Sequence, residues 1–215
     1  MSTYVVIGLG RFGSRVAKSL CSLGSEVLAI DTHPELVQQI ANDVTQAVVG
    51  DARDKDVLKA LGVGNFDCAI VAIGGELSAS ILTTMNLKEL GIPQVICKAH
   101  DDTHRKVLEK LGADRVIIPE REIANKLAHS LTSSNVLDYI ELSGDYGIVE
   151  AETPKMWVGK TLRQTNARAK LGVNIIAVKS NGKINVSPSA DYIIEKGDIM
   201  VILGDNAALT AVQDL

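Results

Sequence analysis

Six short runs rich in Val, Ile, Leu and Ala recur through the first 120 residues, at positions 4–9, 26–31, 46–51, 68–73, 94–99 and 115–120, with little polar alternation. A strand with one wet face alternates in polarity, whereas a strand buried on both faces reads as a continuous apolar run. Between the runs, apolar residues fall at helical spacing: Val16, Leu20 and Leu23, then Leu36, Val37 and Ile40, then Val57, Leu58 and Leu61. Ile81, Leu82, Met85 and Leu90 follow, and then Val107, Leu108 and Leu111. Gly24, Gly62, Gly91 and Gly112 stand just past four of these segments, where a left-handed helix cap is least costly. Strands and helices alternating through short connections predict right-handed crossovers and a parallel sheet covered on both faces. The composition agrees, with 46% hydrophobic but only 3% aromatic residues, so the core must be aliphatic.

The pattern changes after Arg121. Residues 123–131 read as one more helix and Thr132-Ser133-Ser134-Asn135 as a break. Beyond it, polar and apolar residues alternate. Residues 174–179 and 183–188 flank Asn181-Gly182, a two-residue type I′ hairpin signal. Residues 195–198 form a further turn before a strand at 199–203. The expected organisation is α/β: a Rossmann-type doubly wound parallel sheet with its linker helix over residues 1–134, then a small α+β domain over 135–215.

The first run leads into Gly8-Leu9-Gly10-Arg11-Phe12-Gly13, with a helical pattern directly after it. A lone G-x-G-x-x-G is weak, but strand before and helix after is the context of a dinucleotide-type phosphate loop. Gly8 permits the turn, Gly10 lets phosphate approach the backbone, and Gly13 lets helix and strand pack closely. The helix N-terminus offers free amides to an anion. Asp31 closes the second run, 18 residues after Gly13. There it either accepts hydrogen bonds from ribose hydroxyls, which disfavours a 2′-phosphate, or caps the next helix. The other run ends carry Asp51-Ala52, expected beside adenine, Ile73-Gly74-Gly75, a flat backbone wall, and Lys98, a cation. Arg11 lies inside the phosphate loop, where it either grips a terminal phosphate, which ATP has and a dinucleotide lacks, or is simply solvated. His100 and His104, four apart, would share a helix face as a polar site wall, as surface residues or as a metal pair, although no third ligand is near. Glu120 either supplies helix N-terminal charge or meets a divalent cation, Mg²⁺ or Ca²⁺, held by phosphates.

A formal net charge of −4 argues against a nucleic-acid partner and against direct docking on anionic lipid. Cys21, Cys68 and Cys97 are scattered and odd in number, which fits small core residues in a reducing compartment. No apolar run approaches the ~18 residues that span a bilayer, and the N-terminus lacks a basic signal region. The expected location is cytoplasmic.

On these blocks the chain resembles the RCK proteins, the cytosolic gating subunits of Ktr- and Trk-type potassium uptake systems. The resemblance rests on residues 6–13, Leu28-Ala29-Ile30-Asp31, Val71-Ala72-Ile73-Gly74, residues 106–114, residues 135–140 and Arg168-Ala169-Lys170-Leu171-Gly172, in that order. It implies ATP or ADP in the first domain, with Arg11 at the terminal phosphate and Asp31 at the ribose. By the same resemblance Thr32, His33, Asp51, Ala52, Ile73, Gly74, Gly75, Lys98, Ala99, His100 and His104 line the nucleotide, and Glu120 meets the cation. It further implies dimers building an octameric ring beneath a membrane potassium channel subunit, to which the chain is peripheral. In the second domain it implies a dimer interface for cyclic di-AMP. There Ile175 and Pro188 are candidate walls, Arg168 a phosphate ligand and Asn174 a polar edge; each could equally be ordinary strand core, strand end or solvated charge. The competing reading is an NAD(H)-dependent oxidoreductase or NAD(H)-sensing regulator, although the second domain shows no hydride-transfer constellation of His, carboxylate and Arg. A third is a structural module with a vestigial site.

Overall fold

The computed structural model describes residues 2–132 and 136–213. The chain divides into two compact units, Met1–Glu120 and Arg121–Leu215. The boundary expected from the sequence, at 134, lies outside the described residues.

The first unit is the doubly wound parallel sheet. Its strands are β1 (Thr3–Ile7), β2 (Glu26–Asp31), β3 (Gln46–Val49), β4 (Cys68–Val71), β5 (Gln94–Lys98) and β6 (Arg115–Ile117). Helices α1 (Arg11–Ser22), α2 (Pro34–Ile40), α3 (Lys55–Ala60), α4 (Leu77–Glu89) and α5 (Asp102–Lys110) alternate with them. The order is β3-β2-β1-β4-β5-β6, every pair parallel. The apolar runs follow directly from this arrangement. Val5 and Ile7 point to one face and pack with Leu58, Leu87 and Leu108 of α3, α4 and α5. Val6 points to the other and packs with Ala17, Val37 and Ile40 of α1 and α2. Both faces are covered, so neither set of positions is free to be polar. Each such Val, Leu or Ile contributes about 1.5–3 kcal/mol on burial.

Several strands stop about two residues short of their apolar runs. β1 ends where Gly8 leaves the extended region at φ +92°, and β6 ends ahead of Pro119, which opens α6 (Pro119–Thr132). The four helix-ending glycines marked in the sequence all have positive φ. Cys68 and Cys97 are buried, and desolvation pushes both thiols up to about 11, so they behave as apolar filling.

The second unit is a five-stranded antiparallel sheet in the order β10-β9-β11-β8-β7, built from β7 (Val136–Ser143), β8 (Tyr146–Glu152), β9 (Asn174–Ser180), β10 (Lys183–Asn185) and β11 (Ile199–Asp205). Helices α7 (Leu162–Thr165), α8 (Ala167–Leu171) and α9 (Asn206–Gln213) complete it. The hairpin at Asn181-Gly182 forms with φ of 49° and 75°, the two positive values of a type I′ turn. β10 is three residues rather than six, because Asn185 Oδ1 accepts the Ser187 amide and turns the chain ahead of Pro188. The β7–β8 hairpin was not individually marked in the sequence, yet β8 buries Gly147, Val149 and Ala151 in strict alternation. Trp157, Met200 and Ile202 centre this core.

The glycine loop fixes how closely α1 meets β1. A Cβ on Gly13 would lie 1.8 Å from the Gly8 carbonyl oxygen, whereas a Cβ on Gly10 would meet nothing within 4 Å. Gly13→Ala is therefore expected to lower stability by about 2–3 kcal/mol or more. Gly10→Ala should stay within about 1 kcal/mol of the parent. Urea denaturation followed by circular dichroism measures both, and equal losses would mean that close approach is not what requires the glycine.

Candidate functional site

The sheet order places the topological switch between β1 and β4, where crevices form at strand C-termini. Ile7 pairs with Ile30 and with Val71, so the loops after β1, β2 and β4 leave the sheet at one level. Between them and the loop after β3 lies a cavity of ≈ 320 Å³. Its lining includes Gly8, Gly10, Asp31, Thr32, His33, Asp51, Ala52, Ile73, Gly74 and Gly75, ten of the positions expected from the sequence.

Asp31 joins two of these loops. Its Oδ2 accepts the Leu9 amide of the glycine loop at 2.6 Å. Its Oδ1 accepts the His33 amide and contacts His33 Nδ1, both at 2.9 Å. Burial raises the carboxyl's pKa, but the Leu9 and His33 amides and the His33 ring outweigh it, leaving the group below its ordinary range. A carboxylate has about four acceptor positions. The Leu9 amide, the His33 amide and the His33 ring occupy three of them and leave one on Oδ2.

Asp51 is held by Arg53, whose Nη2 lies 2.8 Å from Oδ2 and whose Nε bonds both oxygens at 3.0 Å. Arg53 Nη1 also reaches Glu76 Oε1 at 3.4 Å, linking the loops after β3 and β4 across the cavity rim. Arg53, Glu76, Leu36, Ala79 and Thr83 line the cavity as well, and the sequence did not point to them as site residues. Arg53 stood two residues from Asp51, a local signal that could have been read. Glu76 lies 23 residues further on and carried no signal.

The other expected residues form a second group outside that lining. Lys98 Nζ pairs with Glu120 Oε1 at 2.5 Å and sits 5.7 Å from the Phe12 ring centroid. The Lys98 hydrogen bond is the largest influence holding the Glu120 carboxyl below its ordinary range, and Arg11 adds to it, so Arg11 belongs electrostatically to this group. Gly13 and Ala99 are buried beneath the site rather than on its wall. Among the described residues no group of three metal-ligating side chains converges.

His100 precedes the N-cap Asp101 of α5, so the two histidines do not share a helix face as their spacing suggested. The loop nevertheless brings His100 Nδ1 within 2.9 Å of His104 Nδ1. His104 is buried, with Nε2 3.2 Å from Ser80 Oγ, and is not a surface residue.

In the second unit Arg168, Asn174 and Ile175 line a separate cavity of ≈ 300 Å³. Pro188 is not part of that lining.

Two histidines of the first unit, His33 and His104, carry opposite signatures. Hydrogen bonding to Asp31, then its charge, raises the His33 pKa above the ordinary 6.5. That contact stabilises the fold fully below pH 6.5 and is lost as pH rises through the folded value. Desolvation, then the charge of His100, lowers the His104 pKa. Its contribution is present above pH 6.5 and lost as pH falls through the folded value. An NMR titration of the ring protons should therefore show His33 titrating above 6.5 and His104 below it, with the His33 shift abolished in Asp31→Asn. Coincident midpoints would contradict the geometry.

Comparison with known proteins bears on this arrangement. Residues 4–119 match the TrkA-N domain model and residues 148–215 the TrkA-C domain model. Ktr system potassium uptake protein C of Bacillus subtilis strain 168 is 46% identical over 201 residues, covering 94% of this chain and 91% of the relative. Ktr system potassium uptake protein A of the same organism is also 46% identical, over 94% of this chain and 90% of the relative. The crystal structure of the GsuK RCK domain superposes with a TM-score of 0.70 at 19% identity, over all of this chain and 47% of that one, a likeness of fold. With both domain models matched in order along its length, the chain belongs to the TrkA-N/TrkA-C family that includes the Ktr system potassium uptake proteins.

Proposed function

We propose that this chain is the nucleotide-binding regulatory subunit of a Ktr- or Trk-type potassium uptake system, responding to ATP and ADP rather than carrying out a reaction on them. One observation carries the reading: the cavity at the sheet's switch point joins the glycine loop, Asp31 and the Asp51-Ala52 loop in one lining. That succession suits phosphate, ribose and base. The relatives' names, Ktr system potassium uptake proteins A and C, supply the physiological context.

The Arg11, Lys98 and Glu120 group supports a response to phosphate number. Arg11 opens α1, and its guanidinium suits bidentate contact with a terminal phosphate. Lys98 is already neutralised by Glu120. A γ-phosphate would compete for Lys98 and release the Glu120 carboxylate toward a divalent cation shared with the phosphates. Calcium and magnesium both favour such oxygen ligands. Assembly through α6 into a homodimer, and from dimers into a ring beneath a membrane channel subunit, would turn this local exchange into gating. Ile123, Leu127 and Leu131, exposed at four-residue spacing on α6, are the contact surface this reading uses. The chain would then act at the inner membrane face through its partner. Among the described residues no helix is long and apolar enough to cross a membrane.

Calorimetry of one preparation against ATP, ADP, NADH and NADPH tests the assignment. ATP and ADP should bind most tightly. Arg11→Ala should weaken ATP about 10- to 100-fold, the worth of a charge-assisted hydrogen-bond pair, while leaving ADP nearly unchanged. Equal losses would remove Arg11 from the terminal phosphate, and preference for NADH would favour an NAD(H) sensor instead.

For the second unit we propose a symmetric site for cyclic di-AMP, formed by two copies. Arg168, Asn174 and Ile175 around one cavity support it, combining a cation, a polar edge and an apolar wall. A two-fold ligand suits an isologous interface. Titration of the full chain with cyclic di-AMP should show binding that Arg168→Ala abolishes. Binding that survives this substitution would relocate the site.

A further inference from the structure

Seven side chains with hydrogen-bonding groups line the cavity of the first unit. Asp31, Thr32 and His33 bond among themselves and to the glycine loop. Asp51 and Glu76 are joined through Arg53. Thr83 is different. It is 0% exposed, and its Oγ1 has no hydrogen-bond partner among the described residues.

The neighbouring Thr84 shows what a structural threonine does in this helix. Its Oγ1 donates back to the Ser80 carbonyl at 2.8 Å and lies 3.3 Å from Cys97 Sγ. Thr83 makes no such return bond. A buried, unbonded hydroxyl destabilises the free protein, and a valine of nearly the same shape would avoid that cost. On a cavity wall, however, such a group can gain a partner when a ligand arrives. Threonine in a helix divides between two χ1 rotamers, so one side-chain step re-aims Oγ1 without moving the backbone.

The position of Thr83 selects which part of a nucleotide it would meet. It lies one turn before Asn86, whose Nδ2 bonds the carbonyls of Ala52 at 3.3 Å and Arg53 at 2.9 Å. This stretch of α4 is therefore fastened to the loop after β3, which carries Ala52 of the cavity wall. The nearby wall is apolar, with Ile30, Ala52 and Ala79, and suits the faces of a flat ring. An adenine edge carries ring nitrogens that accept and an amine that donates, and a hydroxyl can serve either. We propose that the Thr83 hydroxyl reads the base edge and is a specificity-determining residue of the nucleotide site. The inference rests on the nucleotide reading above.

The test is calorimetric titration of the full chain with ADP, for the parent and for Thr83→Val, Thr83→Ser and Thr83→Ala, with melting temperatures of the ligand-free proteins. Thr83→Val should weaken ADP about three- to tenfold, one neutral hydrogen bond, while its ligand-free melting temperature holds or rises. Thr83→Ser should retain parental affinity. If the parent binds ADP and the valine variant binds it equally well, the inference fails and the nucleotide reading stands. A valine variant melting well below the parent would make the hydroxyl structural and overturn the inference. Should the valine variant not fold, Thr83→Ala and Thr83→Ser decide: equal ADP affinity in the two refutes it, and a loss confined to alanine supports it. A parent that binds no ADP overturns both readings.

Discussion

The carboxylate of Asp31 is the contact on which the arrangement of the first unit's upper edge depends. Parallel strands bring their C-termini to one side, but nothing in the ladder fixes the loops beyond them. Asp31 does so by accepting the Leu9 amide from one loop and the His33 amide from another. It sits where burial alone would favour its neutral form, and three donors keep it ionised. The start of the glycine loop is thereby tied to the end of β2 by the Gly8 amide on the Ile30 carbonyl and the Leu9 amide on Asp31. Gly8 and Gly13 make the same loop possible sterically, since side chains at either would strike the Ala72 backbone or the Gly8 carbonyl.

Around that fixed point the charges of the site are matched to one another. Arg53 stands between Asp51 and Glu76, and Lys98 lies against Glu120. The two half-exposed Arg53 pairs are worth about 0–1 kcal/mol each. Arg53 and Glu76 join the loops after β3 and β4, while Lys98 and Glu120 join the end of β5 to the start of α6. These ion pairs tie several of the loops at the strand C-termini to one another.

Helix α4 carries the polar interior of this unit. Ser80, Thr83 and Thr84 are all fully buried, yet they differ in partners: His104, none among the described residues, and a backbone carbonyl with Cys97. A helix packed on a sheet would ordinarily present leucine and isoleucine at such positions. Placing hydroxyls there costs packing and gives a wall able to hydrogen-bond.

The period of burial was legible in the chain itself. Runs such as Val5-Val6-Ile7 read as strands covered on both faces, Gly8 to Gly13 as a strand-to-helix turn, and Asn181-Gly182 as the hairpin of the second unit. These features are local, because burial and backbone dihedrals are imposed residue by residue. The meetings between segments were decided by tertiary structure. Asp51 and Glu76 share Arg53 only because β3 and β4 end on the same edge, and His100 meets His104 through a loop rather than along a helix. The β7–β8 hairpin needed β11 beside it to explain which of its positions are inside. Thr83 reads in sequence as one of two adjacent helical threonines, and nothing local separates it from Thr84. What distinguishes them is which faces a strand and which faces the cavity, a consequence of how α4 is rotated against the sheet.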